Sequence, residues 1–287
     1  MTQVQNVQIP DSILASHFPT RPWNKEKIVI RLLLAVLALT TVYALAHLDT
    51  GGTNLAQAVS NTFSNLKIIF LEPGGPRLSF LKAFYEVIIT LGLACLATLF
   101  GGFIALFLGL LAAQNLSPRS VTNVIKALVA CIRAVPTILW VLIFAVTAGL
   151  GATAAVIGMT FHSISYLTKA YAESFEDLDR SVIEALKASG ANWWQIVFQA
   201  VIPSSSTYLL SWTFLRFEIN FATAVVVGAA AGASGIGFDL YMASGYYFDL
   251  HAVGLITYLI LAFAIALEMI ATRMKSRIND HHPEFMA

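Results

Sequence analysis

The chain has 287 residues, 57% of them hydrophobic and only 11% charged, with a mean hydropathy of +0.74. Soluble domains carry roughly 25% charged residues, so a chain this apolar could not cover its own surface and is read as an all-α integral membrane protein. Its formal net charge of +1 excludes a strongly basic nucleic-acid binder, and without a single Gly-Lys pair it has no phosphate-cradling loop of its own.

Residues 1–27 are polar, hold Pro10, Pro19 and Pro22, and are expected to be a cytoplasmic tail. The first apolar run, 28–47, is about 20 residues, the length that crosses a ~30 Å hydrocarbon core. No small-residue cleavage site follows it, so it is read as a retained span rather than a signal peptide. Over 53–79, Leu55, Val59, Phe63, Leu66 and Phe70 recur at helical spacing, as in an interfacial helix. Residues 87–118 carry no charge; the second span, 87–114, is expected to tilt or bend, with Gly101-Gly102 as the bend or a close helix contact. Pro136 is expected to open the lipid-spanning part of the third span. The uncharged run 134–168 is too long for one crossing, so Gly149-Leu-Gly151 divides it into spans 124–148 and 152–174. A polar patch, Glu173 to Arg180, leads into a mixed amphipathic stretch, Glu184 to Pro203. Spans at 204–231 and 251–272 complete a domain of 28–273, with a polar tail from 274 to 287. Cys95 and Cys131 lie in apolar runs without metal-ligand spacing and are expected to be buried thiols.

Six spans with both termini cytoplasmic place twelve of the seventeen Lys and Arg residues inside and three (Lys67, Arg77, Lys82) outside, leaving Arg133 and Arg216 within apolar stretches. That bias supports the assignment and puts Glu184–Pro203 in the cytoplasm between the fourth and fifth spans. A short helix at 181–190 would end at Gly190, which can adopt positive φ, and Pro203 would restart the chain as a membrane helix. The plainer reading is an amphipathic connector with no partner.

The stretch E-A-L-K-A-S-G-A-N-W-W-Q-I-V-F-Q-A-V-I-P resembles the cytoplasmic signature of ABC importer permeases, E-A-A, three residues, Gly, nine residues, I-x-L-P. Glu184, Ala185, Gly190 and Pro203 match at the right spacing, whereas Leu186, Ala200 and Ile202 depart from it. Leu215-Arg-Phe-Glu-Ile-Asn220 followed by Gly232-Ala-Ser-Gly-Ile-Gly237 looks like the R-F-E-x-N…G-A-G-G-I-G stretch of the phosphonate-type members, and Arg133-Ala-Val-Pro136 resembles their third-span start. The resemblance covers about residues 85–275. It implies a type I importer permease fold and a bacterial inner-membrane location. It implies a homodimer of this chain, two copies of an ABC ATPase that bind the ATP and Mg, and a periplasmic or lipid-anchored substrate-binding protein. It implies no cofactor in this chain and no enzyme activity. Glu184, Ala185, Gly190 and Pro203 would form the ATPase-coupling helix. The family's basic residue after the Asn is absent, with Phe221-Ala222-Thr223 standing there, and Ser234 replaces a Gly. A phosphonate, phosphite or hypophosphite is therefore each a candidate cargo.

Charges inside the membrane need partners or a watery lining. Arg216 and Glu218 are two apart and cannot face each other on a helix. With Asn220, Gly232, Ser234, Gly235 and Gly237 they are candidates for the path or gate; a structural ion pair is the alternative for Arg216. Glycines 232–237 would form a dimer seam, offer amides to an anion, or make a re-entrant turn at the outer surface. Arg133 would snorkel, and with Pro136 and His162 it is read as structural, His162 being a hydrogen-bonded core histidine. An ion-coupled secondary transporter would need mid-span acids and inverted repeats, and a membrane enzyme would need a catalytic polar cluster. Apart from Glu218 such acids are scarce, and neither a repeat nor a catalytic cluster is evident.

Overall fold

The computed structural model describes residues 25–47 and 54–281. The expected N-terminal tail up to residue 24, the Asp49–Gly52 break and residues 282–287 lie outside them. Among the described residues the secondary structure is helical, relieved only by one isolated bridge between Gly75 and Leu78. The chain divides into two units, residues 1–60 and 61–287. The first unit contains α1 (Lys25–Ala46), 22 residues at a hydropathy of 2.4, long enough to cross a bilayer.

Helix α2 (Leu55–Leu71) occupies the stretch whose spacing predicts it. Its end and the following turn are bound to the last helix, α11 (Leu250–His281). Tyr258 Oη donates to Phe70 O at 2.7 Å, His251 Nδ1 to Glu72 O at 2.6 Å, and Gly74 N–H to His251 O at 2.9 Å. Helix α11 runs past the expected end of the span at 272, so the expected C-terminal tail is helical as far as His281.

The centre of the second unit is α3 (Phe80–Ala112) against α6 (Ala152–Glu176), with α9 (Ile202–Ala231) laid across both. Helix α3 is unbroken through Gly101-Gly102, so of the two readings the close contact holds: a Cβ on Gly101 would lie 2.5 Å from Ser163 Cβ. Membrane helices associate by such small-residue approaches because lipid leaves no hydrophobic drive between them. Gly158 does the same on the other side of α6, where a Cβ would sit 2.6 Å from the Val141 backbone. The division at Gly149-Leu-Gly151 stands: α5 (Thr137–Ala148) ends there and α6 begins, with φ of +88° and +134° at the two glycines.

Three expectations need correction. The third span, 124–148, is not one helix: α4 (Arg119–Ala134) and α5 meet at an angle of 85°. Val135 is extended at ψ 122° because a residue before proline is pushed out of the helical region, and Pro136 caps α5. Second, Cys95 and Cys131 are exposed on the helix surfaces. An apolar run in a membrane chain faces lipid as readily as core, so its composition does not report burial. Third, Pro203 does not restart the chain. Helical turns run on from α8 (Trp193–Ile196) through a π-helical turn at 197–201 into α9. Proline lacks the N–H for an i−4 bond and crowds that carbonyl, and the wider π turn relieves the crowding. Among the described residues, four helices can cross a membrane by length and composition, α1, α3, the Trp193–Ala231 run and α11, or five with the bent α4–α5 pair. Helix α6, at 25 residues, is also about 37 Å long.

Candidate functional site

The Glu184–Pro203 stretch builds an exposed helix with one buried face. Helix α7 (Arg180–Ala188) starts at Asp179, whose carboxylate accepts from Ser181 N–H at 2.9 Å. That hydrogen bond holds the Asp179 carboxyl below the ordinary aspartate range. The helix stops as the sequence predicts. Gly190 takes φ +87°, its N–H bonds Lys187 O at 3.0 Å, and Ala191 N–H bonds Leu186 O at 3.0 Å. This is the paired left-handed stop that satisfies two orphan carbonyls. Glu184 and Ala185 are exposed, while Ile183 is buried with Leu110, Phe175, Ile196 and Val197. Asn192 and Gln195 then cap α8 reciprocally, at 2.9 and 2.7 Å. Trp193 Nε1 donates to Leu116 O at 3.0 Å, tying the elbow to the α3–α4 turn. The elbow is thus joined to α3 and α6 by the buried Ile183 side chain and to the α3–α4 turn by the Trp193 indole bond.

Arg216 and Asn220 meet at one hydroxyl. Arg216, 2% exposed, donates from Nε to Ser163 Oγ at 3.0 Å, and its guanidinium lies 5.4 Å from the Tyr166 ring centroid. Asn220, fully buried, donates from Nδ2 to the same Ser163 Oγ and to Thr98 Oγ1, both at 2.8 Å. Helices α3, α6 and α9 are thus joined by a polar knot inside the apolar core. Among the described residues Arg216 makes no ion pair, and its charge is met by a hydroxyl and a π face. Arg216 Nη2, Asn220 Oδ1 and the neighbouring His162 Nδ1 have no hydrogen-bond partner among the described residues. The expected bonding of the His162 ring is therefore not found at that nitrogen.

Glu218 faces away from this knot. It lines an open groove of about 590 Å³ with Pro136, Thr137, Ile219, Thr223 and Val226, as the one charged residue on an apolar wall. Its carboxylate neighbours that of Glu268, an exposed residue of α11. Arg133, exposed, borders a different cavity with Lys126, Lys169 and Glu173.

The glycine loop is structural where it is buried. Gly235 N–H donates to Glu86 Oε2 and Ile236 N–H to Thr90 Oγ1, each at 2.9 Å, so α3 already holds the amides that could have faced an anion. Gly237 lies so close to α9 that a Cβ would fall 1.9 Å from Val225 O. Gly232, at φ +60°, ends α9 and is exposed, as is Ser234. Helix α10 (Ile236–Tyr241) follows. Among the candidates, then, the structure joins Arg216 with Asn220, sets Glu218 on the groove, and separates both from the loop. Ser163, Thr98 and Thr90 were missed because an isolated Ser or Thr in an apolar run carries no sequence signal.

Residues 105–279 match the family model described as "Binding-protein-dependent transport system inner membrane component". The chain is 30% identical over 190 residues to "Phosphate-import permease protein PhnE" of Mycolicibacterium smegmatis, covering 66% of this chain and 35% of that one. It is 32% identical to "Phosphite transport system permease protein PtxC" of Stutzerimonas stutzeri, over 53% of this chain and 55% of that one. It is also 27% identical to "Probable D-methionine transport system permease protein MetI" of Pasteurella multocida, over 68% and 91%. The chain thus spans about a third to a half of the length of the first two relatives. A solved structure of inward-facing MetNI, a methionine ABC transporter, superposes with a TM-score of 0.62 at 19% identity, over 71% of this chain and 98% of that one. That likeness gives the fold, a type I importer permease.

Proposed function

Because the chain belongs to the binding-protein-dependent transport system inner membrane components, we propose that it is the permease half of an ATP-driven importer of a phosphorus oxyanion. It is a multi-pass inner-membrane component and not an enzyme; ATP and Mg are held by a partner ATPase. The observation that carries the reading is α7, an exposed, separately capped helix whose single buried residue, Ile183, reaches the α3–α6 core. Six crossings with both ends in the cytoplasm place it against two ATPase subunits, with Glu184, Ala185, Gly190 and Pro203 as the coupling residues. ATP binding closes the ATPases, α7 moves with them, and Ile183 and Trp193 carry the motion into α3, α6 and the α3–α4 turn. Two copies of the chain enclose the route, with the Glu218 groove turned toward the partner copy. Alternating exposure then follows by rigid-body rocking about a central path. A periplasmic or lipid-anchored binding protein delivers the anion to the outer side.

The names of the phosphate and phosphite relatives support a phosphorus oxyanion of that class as cargo, with phosphonate and hypophosphite as its further candidates. Arg216 is the buried cation that would favour an anion, acting from behind Tyr166. The methionine relative supports the competing reading. The test is the affinity of the cognate binding protein for methylphosphonate, phosphite, hypophosphite, phosphate and methionine. Tightest binding of a phosphorus oxyanion is expected; a clear preference for methionine refutes the cargo and leaves the permease assignment standing.

A further inference from the structure

A second polar cavity, of about 220 Å³, lies beside α7, lined by Gln114, Asn115, Arg119, Arg180, Ile183, Glu184 and Lys187. Arg180, Ile183, Glu184 and Lys187 are one stripe of α7, at the i, i+3, i+4 and i+7 spacing of a single helix face. Arg119 faces them from the first turn of α4. Among the described residues the ion pairs are Lys82–Asp239, Lys126–Glu176 and Lys169–Glu173, so the three cations and one carboxylate of this cavity are all unpaired.

The floor is held, and the four charged side chains stand exposed above it. Glu176 accepts from Gln114 N–H at 2.8 Å and from Lys126 Nζ at 3.2 Å, Asn115 Nδ2 donates to Phe175 O at 2.7 Å, and Ile183 is buried at 3% exposure. Asn115 Oδ1 is itself buried without a partner. The cavity therefore presents three cationic donors together with one acceptor, the Glu184 carboxylate. Cations alone would take any anion. An acceptor among them favours an anion that still carries a hydroxyl proton, since a carboxylate repels a fully deprotonated oxygen and accepts from a P–OH.

We propose that this cavity binds a proton-bearing phosphate-class oxyanion, held by Arg119, Arg180 and Lys187, with its hydroxyl donated to Glu184. Arg119 belongs to α4 and the other two to α7, so the bound anion bridges the coupling helix to the α3–α4 turn and stiffens the link through which α7 moves. The site stands apart from Arg216 and the transport route. It is also independent of the cargo, since a chain that proved to carry methionine would keep it.

The test is titration of inorganic phosphate, with sulfate in parallel, into the full chain in nanodiscs of zwitterionic lipid, followed by calorimetry. Saturable phosphate binding is expected, with sulfate weaker. R119A and K187A are each expected to weaken phosphate by about tenfold or more, the loss of one charged hydrogen bond, with R119K and K187R retaining most of it. E184Q is expected to narrow the preference over sulfate by about tenfold, since it removes the charge that rejects a proton-free anion. Thermal transitions of the variants check that they remain folded. Absence of saturable binding overturns the proposal, as does binding that R119A and K187A leave unchanged, or equal affinity for sulfate. A phosphodiester headgroup lacks the P–OH. Phosphate binding abolished in phosphatidylglycerol nanodiscs would make the headgroup the occupant and would also overturn it.

Discussion

Ser163 Oγ is the acceptor for two buried donors from α9, Arg216 Nε and Asn220 Nδ2, while itself donating to Met159 O at 2.8 Å. A buried donor stripped of its acceptor costs about 1–3 kcal/mol, more when charged. Ser163→Ala is therefore expected to lower the thermal midpoint of the detergent-solubilised chain by more than the loss of one hydroxyl would. Enlargement is not tolerated either, because Gly101 of α3 already sits against Ser163 Cβ. An unchanged midpoint for Ser163→Ala would show that the knot contributes nothing to holding α9. Arg216 and Asn220 were legible in the sequence as polar residues in a span, but their partners were not. Asn220 reaches Thr98 across 122 residues of chain, and no local pattern encodes which hydroxyl comes to meet it.

At the scale of the element, α7 depends on its two ends. The Asp179 carboxyl is held below its ordinary value by the Ser181 amide. Its contribution is thus complete above the unfolded value of ~3.9 and is lost only as pH falls through the lower folded value. Hydrogen exchange at the Ser181 and Val182 amides is expected to show α7 equally protected from pH 5 to 8 once corrected for intrinsic rates. Opening within that window would contradict the cap. At the other end, no neighbour lies within 4 Å of a Cβ on Gly190, so a side chain there meets strain rather than a clash. Gly190→Ala is expected to cost about 1–2 kcal/mol in α7, and Gly190→Pro to remove the stop bond to Lys187 O as well. Both variants should insert normally, and the proline should abolish substrate-stimulated ATPase activity. The stop, the Gly149–Gly151 break and the α2 spacing were readable because each is a local backbone demand. The 85° turn at Val135-Pro136 had a local signal too, the restriction on a pre-proline residue, but hydropathy alone ran across it. The continuous helix through Pro203 was hidden because a proline signals a break and a π turn equally well.

At the scale of the whole molecule, α3, α6 and α9 of the second unit meet at one polar knot, and α7 packs on α3 and α6 at a separate cluster. The α7–α8 elbow is tied to the core by Ile183 and Trp193, and the glycine loop to α3 by Glu86 and Thr90. The proposed topology puts these two at opposite membrane faces. Cysteines introduced at Ser189 and Ser234, both exposed, test it in a background with Cys95 and Cys131 replaced. An impermeant maleimide applied to intact cells should label position 234 and spare 189, and the reverse pattern would invert the assignment.

The central claim is that this chain moves its cargo only when driven through α7. The direct measurement is uptake into proteoliposomes containing the chain, its ATPase and its binding protein, with ATP inside. Uptake of the phosphorus oxyanion is expected to depend on ATP and on the ATPase and to be lost in Gly190→Pro. Equal uptake by the chain alone, without ATPase or ATP, would contradict it.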